Sequence, residues 1–139
     1  MNSQSAPSGK HAIILVVERD PHIRALEAFF LNEAGFGVEF AADGVAALEM
    51  AREMKPDIII TEVLVPKLDG LALCRAIRKE ATMKDTVVLV FSILAAATRA
   101  REAGADAFLM KPLSEQRLVD TVRSLLDQRA VSSPSADLA

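Results

Sequence analysis

The chain has 139 residues, enough for one domain with a sizeable core, and is 51% hydrophobic and 25% charged. A net charge of −3, with lysines and arginines dispersed, argues against direct nucleic-acid binding. One cysteine, Cys74, excludes an intramolecular disulfide. No apolar run approaches the about 18 residues of a membrane span, and "MNSQSAPSGKH" lacks the apolar core of a signal peptide, so a cytoplasmic location is expected.

Residues 1–11 and 129–139, rich in Ser, Pro and Ala, are predicted to be flexible tails around one domain at 12–128. Within it, strand and helix signals alternate five times. "AIILVV" (12–17) precedes a helix over 21–34 whose Ile23, Leu26, Phe30 and Leu31 fall at helical spacing, and "GVEFA" (37–41) precedes a helix over 43–54. "DIIIT" (57–61) is a short β-branched run ending at one acid, Glu62. A helix over 69–80 follows, then "TVVLVF" (86–91), a helix over 95–103, "DAFLM" (106–110), and a helix over 114–128 carrying Leu118, Val122, Leu125 and Leu126.

The punctuation agrees. Asp20, Asp43 and Ser114 are candidate N-caps, Pro21 suits a first helical position, and Gly35 and Gly104 fit helix ends. Strict alternation predicts an α/β fold, a doubly wound five-stranded parallel sheet of the flavodoxin-like (βα)5 type. In such sheets chemistry gathers at the carboxyl ends of the strands. Glu18, Arg19 and Asp20 follow the first strand, Glu62 the third, Ser92 the fourth and Lys111 the fifth.

Over residues 12–128 the chain resembles the CheY-like receiver domain of bacterial two-component response regulators, on "ILVVERDP", "ADGVAALEMAREMKPDIIITEVLVPKLDG", "VLVFS" and "EAGADAFLMKP". The resemblance implies phosphorelay signalling through protein–protein contacts. It places acids that hold Mg²⁺ at positions 18 and 19, the phosphoacceptor at position 62, and the readout at Ser92, Phe108, Lys111 and Pro112, with Lys111–Pro112 a cis peptide. Here the second acid is Arg19 and the phosphoacceptor position is Glu62.

Those departures set the expectations. If Arg19 faces inward and Asp20 points away, Glu18 and Glu62 oppose Arg19 and Lys111, a net charge of zero that disfavours a cation. Glutamate also extends its carboxylate by one methylene, and a misplacement of ~1 Å costs ~100-fold in rate. The sequence therefore predicts a pseudo-receiver without phosphorylation, Mg²⁺ or catalytic metal, not an enzyme. Its Arg19 would stand in for the metal, and its Glu62 would hold Ser92 and Lys111. The alternatives are a Mg²⁺-dependent phosphoacceptor of weak activity and a small flavodoxin-like nucleotide-binding enzyme; against the latter, no glycine-rich phosphate loop is present. His22 is expected in solvent and Cys74 in the core. Only 19 positions separate Ser92 from Lys111, so a shortened fourth helix is expected on the face formed with the fifth strand and fifth helix. That face is the expected contact for a signalling partner, an output domain or a second copy.

Overall fold

The computed structural model describes residues 12–131, and the predicted tails, apart from 129–131, lie outside them. The elements are β1 (Ile13–Val17), α1 (Pro21–Glu33), β2 (Gly37–Ala41), α2 (Gly44–Met54) and β3 (Ile58–Thr61), followed by α3 (Gly70–Lys79), β4 (Val87–Ser92), α4 (Ala97–Glu102), β5 (Ala107–Met110) and α5 (Glu115–Val131). All neighbouring strands are parallel, in the order β2-β1-β3-β4-β5. This is the flavodoxin-like doubly wound sheet. Helix α5 continues to Val131, three residues past the expected boundary, and Arg129 donates to the Asp57 carbonyl at 2.8 Å.

Because strand side chains alternate, the sheet has two apolar faces, each covered by helices. Leu15, Val17, Ile59, Val88 and Val90 pack with Ala47, Ala51, Leu73, Cys74, Ile77 and Ala100 of α2, α3 and α4. Ile14, Val16, Ile58, Ile60, Leu89 and Phe91 pack with Leu31 of α1 and Leu118, Val122 and Leu125 of α5. Burial pushes the Cys74 thiol up, which suits a packing residue.

Asp20 and Asp43 cap α1 and α2, Ser114 Oγ accepts from the Arg117 amide, and Gly35 and Gly104 have φ of 99° and 101°. Asp69, which the sequence reading passed over, caps α3 through the Leu71 and Ala72 amides. Helix α4 has six residues and no side-chain cap. In α1 the inward face is rotated from the expected one. Leu26 is 46% exposed, and Glu27, one turn before Leu31, is 1% exposed.

Candidate functional site at the carboxyl end of the sheet

Each pocket residue ends a strand or directly follows one. The Glu18 amide donates to Ala41 O at 3.1 Å, the Glu62 amide to Val17 O at 3.1 Å and the Lys111 amide to Ser92 O at 2.9 Å. The sheet thus carries Glu18, Glu62, Ser92 and Lys111 to one place. Glu18, Glu62 and Ser92 are buried, and the Lys111 side chain is 9% exposed.

Glu62 is the focus. Its Oε2 accepts from the Val63 and Leu64 amides at 2.7 and 3.2 Å and from the Ser92 hydroxyl; its Oε1 accepts from the Ile93 amide at 3.3 Å and lies 3.0 Å from Lys111 Nζ. Burial pushes this carboxyl up, but the Ser92 and Lys111 bonds and the Leu64 amide outweigh it and hold it below the ordinary range. Lys111 also reaches Glu18 Oε1 at 2.7 Å and lies 5.6 Å from the Phe91 ring centroid. Burial favours its neutral form, yet the bonds to Glu18 and Glu62 raise its pKa. The Lys111–Pro112 peptide is cis. Phe108, paired with Val90 across β4 and β5, is half-buried against the core.

Arg19 is corrected by the structure. It is exposed and makes no hydrogen bond or ion pair among the described residues. The backbone turns outward there, because Asp20 N donates to Glu18 Oε2 at 3.1 Å while Asp20 Oδ1 caps α1 through the His22 and Ile23 amides. The guanidinium keeps its hydration instead of filling the pocket. Two carboxylates therefore face one ammonium, a net of −1 where zero was expected. His22 is solvent-exposed, as expected. The amides of Val63, Leu64 and Ile93 could not be read as ligands, since any residue type supplies them.

Comparison with known proteins decides the family. The family model for the response regulator receiver domain matches residues 14–123. The chain belongs to that family. This receiver domain is 32% identical over 116 residues to the DNA-binding dual master transcriptional regulator RpaA of Synechocystis, covering 81% of this chain and 48% of that protein. It spans about half the length of the curated relatives it matches. The chemotaxis response regulator CheY4 of Vibrio cholerae superposes with a TM-score of 0.79 at 30% identity, covering 83% of this chain and 98% of that one. The receiver domain of sensor histidine kinase PA1611 from Pseudomonas aeruginosa, with magnesium coordinated in its active-site cleft, gives 0.78 at 23% identity, covering 84% and 98%.

These findings overturn the expectation of a metal-free, phosphorylation-independent pocket. A receiver domain of the same fold holds magnesium in its cleft, and here the cation counted against a metal, Arg19, lies outside the pocket. The donors present fit a hard cation. Mg²⁺ is usually bound by one or two carboxylates together with phosphate oxygens and water, and Glu18 and Asp20 keep acceptor capacity beyond the bonds described. Among the described residues no group of three or more His, Cys, Asp or Glu is placed to hold a metal ion by itself, so phosphate oxygens and water would have to complete the shell. No helix there is long and apolar enough to cross a membrane.

Proposed function

We propose that this chain is a divergent receiver module of two-component signalling, a Mg²⁺-dependent phosphoacceptor of weak activity, with Glu62 at the acceptor position. The observation that carries this reading is the convergence of Ser92 and Lys111 on the Glu62 carboxylate. A Glu62 oxygen would attack the phosphorus of a phosphorylated donor, forming an acyl phosphate as the bond to the donor's leaving group breaks. Lys111 and the Ile93 amide would meet the added phosphoryl oxygens, and Ser92 would turn towards them. Glu18 and Asp20, together with phosphoryl oxygens and water, would hold Mg²⁺, which would supply charge neutralisation for the phosphoryl group. Weakness follows from the same geometry, since five donors already hold the carboxylate, lowering its nucleophilicity.

The module turns over no substrate of its own in this reading and acts through protein contacts on the face of α4, β5 and α5. The occupant is a signalling partner, an output domain of its own, or a second copy. Acetyl phosphate with and without Mg²⁺, followed by intact mass, tests the chemistry. A slow, Mg²⁺-dependent gain of one phosphoryl group, labile to hydroxylamine and lost in Glu62→Gln, is expected. No gain with Mg²⁺ present rejects the phosphoacceptor reading.

A further inference from the structure

Helix α1 has a thin hold on the sheet. Of its 13 residues only Glu27 and Leu31 are buried, whereas the shorter α3 buries five. Half of that footing is thus a carboxyl group, and its Oε1 has no hydrogen-bond partner. An unpaired polar atom at such depth carries a cost when neutral and a far larger one when charged.

The surroundings reinforce this. Glu18 after β1 and Glu62 after β3 act on Glu27 with like charge, and Lys111 after β5 opposes them. Of the elements packed against α1, β2 offers Glu39, which is exposed, and α5 faces the core with Leu118, Val122 and Leu125. Arg123 of α5 is committed to the Ala34 carbonyl, at the far end of α1. Burial first, then Glu18, pushes the Glu27 carboxyl up to about 8.

We propose that Glu27 is a proton-operated latch, which seats α1 on the sheet when protonated and releases it when ionised. The latch reaches the pocket through the backbone. Arg24, on the same helix, donates from Nη1 to the Glu18 carbonyl at 3.0 Å, and Asp20 joins the helix cap to the Glu18 side chain. Lifting α1 loosens Glu18 and with it one of the two anchors of Lys111. The coupling runs both ways. Added negative charge in the pocket holds the proton on Glu27 and keeps α1 seated; added positive charge favours release.

Native-state hydrogen exchange of the ligand-free protein between pH 6 and 9.5, corrected for the intrinsic rate, tests the latch. Protection of the α1 amides should fall about tenfold per pH unit from pH 6 to about pH 8, the released carboxyl titrating near 4.5, and level off above it, while β1, β3 and β4 keep theirs. Glu27→Gln, which keeps the shape, and Glu27→Leu, which restores an apolar footing, should abolish that dependence. Steady α1 protection to pH 9.5 in the parent overturns the proposal. So does an unchanged fall in both variants, or an equal fall in the central strands.

Discussion

Replacing Lys111 by methionine isolates the electrostatic role of the pocket. The ammonium lies 2.7 Å from Glu18 and 3.0 Å from Glu62, and its side chain is 9% exposed. Methionine keeps much of the aliphatic stem and leaves two buried carboxylates with no cation between them. Breaking a buried pair costs about 3–5 kcal/mol. The lower end applies here, about 3 kcal/mol, because the pocket lies at the end of the sheet, where water can enter to rehydrate the acids. At roughly 4 °C per kcal/mol for a domain of this size, the melting temperature falls by about 12 °C. The pH dependence follows from the two shifts. Lys111 has a raised pKa, so its contribution is present below its unfolded value of 10.5. Glu62 has a lowered pKa, so its contribution is present above 4.5 and lost as pH falls through the folded value. The gap between parent and variant is therefore full at pH 7.5 and shrinks below about pH 4.5. Glu27 titrates in both proteins and largely cancels. Urea unfolding at pH 7.5 and 4 measures the gap; one below about 1 kcal/mol at pH 7.5, or one unchanged at pH 4, refutes the reasoning.

Arg78 donates to the carbonyls of Gly104, Lys84 and Thr86 and to the Asp106 carboxylate, at 2.6–2.9 Å. Arg78→Met should cost about 2–4 kcal/mol, and Arg78→Lys should recover only part, since an ammonium cannot span that fork; full stability of the lysine variant in urea contradicts this. A Cβ at Gly70 would lie 2.2 Å from the Glu62 carbonyl oxygen and 3.1 Å from Thr61 Oγ1. Gly70→Ala should therefore shift the turn after β3 at a cost of about 1–3 kcal/mol and move the Ser92 and Ile93 amide resonances; an unchanged spectrum would show that the turn has slack.

The fold was legible because its signals agree. Buried strands read as β-branched runs, and aspartates and glycines stand at helix ends. The pocket's membership was legible too, since Glu62, Ser92 and Lys111 stand at the carboxyl ends of neighbouring parallel strands. Direction was harder. Position 19 follows a strand just as position 18 does, and only the turn that lets Asp20 cap α1 sends Arg19 outward. Nor does periodicity rank Leu26 above Glu27. Residues 23, 27 and 31 share a face at spacings of four, and an acid there looks like a break in the stripe instead of part of the footing.

The pocket also has a chain-length signature. Lys111 and Glu18 are 93 residues apart, and Ser92 and Glu62 are 30 apart. Closing such distances is entropically unfavourable before many other contacts exist, so the groups at the carboxyl end meet only after the strands beneath them are in register. A nascent chain that has β1 to β4 in place but has not docked β5 lacks Lys111 altogether, and its two acids face each other without a counter-ion. Such an intermediate carries no competent pocket, so a partner that senses the pocket responds only to completed molecules. The ion pair that closes the site is at once its chemistry and its certificate of assembly.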